Sequence, residues 1–60
     1  MKYKIVLIDK MTGKEKVKLG TFRLTDALEY FTLVQDRFMQ AGDALMLLDL
    51  ETKKTVKSIC

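Results

Sequence analysis

The sequence contains no histidine, proline or tryptophan, and its single cysteine, Cys60, is the last of its 60 residues. One thiol cannot form an intramolecular disulfide. Without histidine the chain cannot supply the four nitrogen or sulfur ligands of a tetrahedral zinc site. Histidine is also the commonest general acid or base at neutral pH. We therefore predict that the protein uses no metal or other cofactor and is not an enzyme.

The remaining reactive groups are poorly placed for catalysis. Asp26, Glu29 and Asp36 fall on the polar side of a predicted helix, where carboxylates ordinarily serve solubility and the helix dipole. Cys60 stands at a chain end, which is a poor place to hold a nucleophile against a base. The three glycines are isolated and form no phosphate-binding loop. We predict no catalytic residues.

Long hydrophobic runs are also missing. No apolar segment approaches the roughly 18 residues of a membrane span, and the basic N-terminus lacks the apolar core and cleavage site of a signal peptide. The apolar fraction of 48% and the charged fraction of 32% are typical of a globular domain. We predict one cytoplasmic domain spanning residues 1–60, with no membrane contact and a reduced thiol.

The net charge of +3 is unevenly distributed. Residues 1–23 carry seven basic and two acidic side chains, a balance of +5, and residues 50–60 carry three and one, a balance of +2. Residues 24–49 carry one basic and five acidic side chains, a balance of −4. The chain is therefore basic at both ends and acidic in the middle.

The basic N-terminal region predicts a β-hairpin over residues 2–22. Strand-like runs at 3–8 and 16–22 flank a turn in which Asp9 accepts backbone N–H bonds and Gly13 supplies a positive φ. If Gly13 forms the bulge of this turn, three pairs align on one apolar face. These pairs are Leu7 with Val17, Ile5 with Leu19, and Tyr3 with Thr21.

The acidic middle predicts one amphipathic helix over residues 25–41. Thr25 caps its start, Asp26 places negative charge in the first turn, and Gly42 ends it. The predicted apolar stripe comprises Ala27, Tyr30, Phe31, Val34, Phe38 and Ala41, with Leu28 and Met39 at its margin. Leu33 is the exception, an apolar residue on the polar face.

A second hairpin is predicted over residues 43–60, with strands at 44–50 and 55–60. Residues 5–14 align with residues 45–54, matching Asp9 with Asp49 and Thr12 with Thr52. The match is short, and either turn chemistry or duplication explains it, with turn chemistry favoured. It supports two hairpins of similar shape.

Together these elements predict an α+β fold of ββαββ type. The first and third strands are apolar on both sides, as expected for central strands, and the lysine-rich strands suit the edges. The predicted sheet is four-stranded and of antiparallel type, with order 2-1-3-4. One amphipathic helix packs on one of its faces.

The opposite sheet face then has nothing to cover it. It would carry an apolar centre of Val6, Ile8, Met46 and Leu48, with Phe22, rimmed by Lys4, Lys16 and Lys18. Monomers rarely expose a large contiguous apolar patch, so we expect this face to bind another protein, as a homodimer. Leu33 is a further candidate contact on the helix.

In size, charge and lack of site chemistry the chain is similar to the small accessory and inhibitor proteins encoded by bacteriophages and mobile elements. The uncovered apolar face and the absence of catalytic groups favour a non-enzymatic protein-binding module, and the resemblance implies an inhibitor or adaptor of this kind. The alternative is a nucleic-acid-binding protein that uses the lysine-rich sheet face, the hairpin turns and Phe22. The lysines that would contact phosphate are Lys4, Lys16, Lys18, Lys53 and Lys54.

Overall fold

The structure, a computed structural model, describes all residues from 1 to 60. Its five elements are β1 (Tyr3–Ile8), β2 (Glu15–Thr21), α1 (Leu24–Arg37), β3 (Ala44–Asp49) and β4 (Lys54–Ile59). The strands form one sheet in the order β2-β1-β3-β4, and every neighbouring pair is antiparallel. The predicted ββαββ fold and strand order are confirmed. No helix is long and apolar enough to cross a membrane.

The first hairpin has the predicted register, with Leu7 opposite Val17 and Ile5 opposite Leu19. Gly13 has the predicted positive φ, at 72°. The register also shifts between Leu7 and Ile8, which leaves Lys16 as an extra residue that the sequence did not predict. The turn itself closes through hydrogen bonds from the Gly13 N–H to the Asp9 carbonyl and from the Asp9 N–H to the Lys14 carbonyl.

The helix begins at Leu24, one residue before the predicted start. The prediction that Thr25 caps it is wrong, because Arg23 occupies the cap position with extended backbone and no side chain caps the helix. The Arg23 carbonyl accepts the Ala27 N–H, and the Arg23 N–H donates to the Thr21 hydroxyl at 3.4 Å. Asp26 lies in the first turn, as predicted.

The helix ends at Arg37 rather than at residue 41. The N–H groups of Phe38 and Met39 both donate to the Val34 carbonyl, and the chain then leaves the helical path. As a result Met39 packs against the core, whereas Phe38 is 56% exposed.

Two other predictions for this segment are also wrong. Gly42 does not end the helix but lies, with a φ of 91°, in the turn where the Asp43 N–H donates to the Gln40 carbonyl. Ala41 and Tyr30 are exposed and lie outside the core. Because the helix ends at Arg37, Ala41 is not part of the apolar stripe of the helix.

The core lies between α1 and the sheet. Its buried members come from the helix and from β1 and β3, namely Tyr3, Ile5, Leu7, Ala27, Phe31, Val34, Leu45 and Leu47. The helix backbone lies nearest to β1, β2 and β3. β4 reaches the helix through a side chain, since the Lys57 ammonium lies over the Phe31 ring, 4.9 Å from its centroid.

The two hairpins repeat one another in detail. Asp9 Oδ1 accepts the N–H groups of the residues two and three positions later, and Asp49 Oδ1 does the same. The position of Gly13 is taken by Lys53, which also has a positive φ, 59°. A second register shift, between Leu47 and Leu48, leaves Val56 as the extra residue, matching Lys16 in the first hairpin.

This repeat is built into the sheet. Ile5 lies opposite Leu47 and Leu7 lies opposite Leu45, so an approximate two-fold axis through the central pair, Val6 and Met46, exchanges the hairpins. The sequence match between residues 5–14 and 45–54 therefore corresponds to a symmetry of the backbone.

Candidate binding surfaces

The sheet face that points away from α1 is called here the open sheet face. Side chains alternate between the two faces of a strand, so residues between the core positions belong to it. They are Lys4, Val6 and Ile8 of β1, Lys18 of β2, and Met46 and Leu48 of β3. The helix lies on the other face of the sheet, and no second helix exists to cover this one.

The centre of the open sheet face is less exposed than the sequence suggested. Val6 is only 3% exposed, and Ile8, Met46 and Leu48 are half-buried. In the sheet Val6 lies between Lys18 on one side and Met46 on the other. Long side chains on neighbouring strands can reach across Val6 and cover it. The half-buried Ile8, Met46 and Leu48 then provide the apolar surface of this face that solvent reaches.

Two apolar side chains near the end of β2 are strongly exposed. Phe22, just after β2, is 74% exposed, and Met1 is 63% exposed. The Met1 side chain lies against Gly20, in the space that a Cβ would occupy. Sequence reasoning missed Met1. The glycine inside a strand was the available signal, since such a glycine often marks a close approach by another group.

The five lysines proposed to contact phosphate do not form one cluster. Lys4 and Lys18 share the open sheet face, whereas Lys53 and Lys54 lie at the turn between β3 and β4. Lys16 is separated from both groups, because its ammonium contacts Asp43 Oδ2 at 2.8 Å and Asp9 Oδ2 at 3.5 Å. The bulge at Lys16 therefore removes this side chain from the face on which it was predicted.

Asp43 is the centre of a polar cluster that joins three segments. Its Oδ2 accepts the Lys16 ammonium and the Gln40 N–H, at 3.0 Å, and its Oδ1 accepts the Lys10 N–H at 3.1 Å. These bonds, the Lys16 one first, lower the pKa of Asp43 to about 2. The Asp43 carboxylate in turn raises the pKa of Lys16. The cluster holds β2, the first turn and the segment after α1 together.

The outer surface of α1 carries a shallow groove, called here the outer helix groove, lined by Leu28, Glu29, Thr32 and Leu33. Leu33 is 45% exposed and Leu28 is 39% exposed. The Thr32 hydroxyl donates to the Leu28 carbonyl at 3.1 Å, so its hydrogen-bonding capacity is used within the helix. Leu33, a candidate contact from the sequence, thus shares a shallow depression with Leu28.

No group of three or more His, Cys, Asp or Glu side chains is placed to hold a metal ion. Cys60 is exposed with a free thiol. Comparison of the chain with protein-family models, with curated proteins and with solved structures finds no match.

Proposed function

We propose that the protein is a non-enzymatic protein-binding module that forms a homodimer through the open sheet face. The observation that supports this proposal is a sheet face with an apolar centre and no covering layer. Met1, which lies against Gly20 of β2, and Phe22, just after β2, add strongly exposed apolar surface near this face. An apolar centre with a charged rim, here Lys4 and Lys18, is the usual anatomy of a protein interface.

The size of the face suits a second copy of the chain. The molecule measures 30 × 20 × 15 Å, so two broad faces in contact would bury on the order of 1,200 Å² in total. That area is at the lower end for specific interfaces. We therefore expect a reversible dimer with a dissociation constant in the micromolar range. Met1 and Met46 suit such a contact, because methionine adapts its shape to a partner.

Sedimentation equilibrium tests the dimer. Leu48 lies opposite Lys4, so Leu48→Glu places a carboxylate beside a cation and keeps the sheet intact, yet puts charge into the proposed interface. We expect the wild type to reach the dimer mass at high micromolar concentration and the variant to remain monomeric. Leu33→Glu, on the outer surface of the helix, is the matched control and should dimerise normally. A monomeric wild type, or dimerisation unaffected by Leu48→Glu, would contradict the proposal.

The rival function, nucleic-acid binding, is tested with a fluorescein-labelled single-stranded oligonucleotide. Phosphate contacts give an affinity that falls steeply with salt, and apolar protein contacts do not. Under our proposal the oligonucleotide does not bind at low salt. Binding that is lost in a Lys4→Ser/Lys18→Ser variant would assign the open sheet face to nucleic acid instead.

A further inference from the structure

The outer helix groove lies on the side of the molecule opposite the open sheet face. Its two leucines are partly exposed, and the groove between them is shallow and open. A homodimer formed through the open sheet face would leave both copies of this groove facing outward. The groove is therefore available to a second partner.

The charges around the groove indicate the kind of partner. Asp26, Glu29 and Asp36 of α1 take part in no ion pair within the chain, because every salt bridge involves other carboxylates. The helix has a net charge of −2, from three carboxylates and Arg37. The rest of the chain, with ten basic and five acidic side chains, has a net charge of +5. Negative charge is thus concentrated on the helix of a basic protein, and the three helix carboxylates form no salt bridge within the chain.

We propose that the outer helix groove binds a basic amphipathic peptide segment of another protein. An apolar side chain of that segment packs against Leu28 and Leu33, and its lysines or arginines contact the unpaired carboxylates. Nucleic acid is disfavoured here, because phosphates would be repelled. This inference rests on the proposed function as a protein-binding module and names the chemistry of its target.

The apolar part of the proposal is tested by fluorescence anisotropy with a fluorescein-labelled amphipathic helical peptide of leucine and lysine. We expect Leu33→Ser to weaken binding by about five-fold or more, since it removes a partly exposed apolar anchor. Val56→Ser is the matched control, because Val56 is 46% exposed but lies on β4, away from the groove. Equal losses in both variants would overturn the proposal.

The electrostatic part uses charge-neutralising variants. Glu29→Gln/Asp36→Gln should weaken binding by about five-fold at low salt, and less at high salt. Glu15→Gln removes an exposed, unpaired carboxylate of β2 and should leave binding unchanged. A peptide with serine in place of leucine should bind poorly. Equal binding by that peptide would show attraction by charge alone and would contradict a groove site, as would the absence of any binding at low salt.

The two proposals fail in different ways. Leu48→Glu should abolish dimerisation and leave peptide affinity per chain unchanged. If the wild type is monomeric but binds the peptide in a Leu33-dependent way, only the dimer is wrong. If it dimerises but no helix variant affects the peptide, only the groove is wrong.

Discussion

Asp43 is the only charged residue that is buried. Two of the three hydrogen bonds to its carboxylate come from residues that are distant in the sequence. The Lys16 ammonium is 27 positions away in sequence and the Lys10 N–H is 33 positions away. Removing a group of this kind leaves its partners without an acceptor, which costs more than the bond itself contributes. Asp43 is therefore expected to influence the stability of the whole domain.

The lowered pKa of Asp43 sets the sign of its pH effect. Because the pKa is about 2 in the folded chain against an ordinary value of 3.8, the unfolded chain binds more protons in this interval. The stabilisation is therefore complete above about pH 5 and is lost as the pH falls towards 2. We expect the urea midpoint of the wild type to fall over this range.

The variant Asp43→Asn is the control for that titration. Its midpoint should be lower than that of the wild type at pH 6 and should depend less on pH between about 5 and 2. A residual slope should remain, because the N–H groups of Met11 and Thr12 also lower the pKa of Asp9. If the urea midpoints of the two proteins depended on pH in the same way, the Asp43 cluster would contribute nothing to the stability of the fold.

The role of a residue could be predicted from the sequence when its hydrogen-bond partners lie nearby in the chain, and not when they are distant. Asp9 and Gly13 were predicted correctly because their partners lie within a few positions, where turn chemistry is a local property. Asp43 was missed because its role exists only once β2 and the first turn are brought beside it. Met1 was missed for the same reason.

The two hairpin turns offer an internal comparison, because they share a backbone and differ at one key position. Gly13 adopts a positive φ without strain, whereas Lys53 adopts it despite its Cβ. We expect Lys53→Gly to raise the free energy of unfolding by about 0.5–1 kcal/mol and Gly13→Lys to lower it by about 1 kcal/mol. Urea denaturation of both variants measures these changes. Stabilisation by Gly13→Lys would contradict the assigned turn conformation.

The strands were easier to predict than the ends of the helix. Apolar residues at consecutive positions placed β1 and β3 in the centre of the sheet, and the structure agrees. The helical pattern continued through Phe38 and Ala41, but the helix stops at Arg37. The Asp43 carboxylate accepts the Gln40 N–H within a local turn. The same carboxylate is bound by Lys10 and Lys16, which are distant in the sequence, so tertiary contacts hold this turn against the local helical pattern.

The bulges limited the prediction of the sheet faces. One extra residue in β2 moves Lys16 from the open sheet face towards Asp43, although the rest of the register is as predicted. Period-two alternation cannot reveal such an insertion, because it assumes an unbroken ladder. The equivalent insertion at Val56 shows that both edge strands contain a bulge. Both edges are thereby irregular, which discourages edge-to-edge pairing.

For the molecule as a whole, stability and association should be linked. A chain of 60 residues with eight core side chains and no disulfide has a small stability margin, and a partner on the open sheet face would add to it. If dimerisation occurs, folding is favoured by higher protein concentration through mass action. Each tenfold increase then contributes about 0.7 kcal/mol per chain once the dimer is populated.

We therefore expect the thermal midpoint of the wild type to rise by about 3–5 °C for each tenfold increase in concentration above the dissociation constant. Leu48→Glu, which should be monomeric, is expected to show one midpoint at all concentrations. Circular dichroism over a hundredfold concentration range makes the comparison without reference to sedimentation. A midpoint that is independent of concentration in the wild type would mean that the open sheet face does not stabilise the fold by self-association. Its apolar centre would then be closed by Val6 and its lysine and methionine neighbours alone.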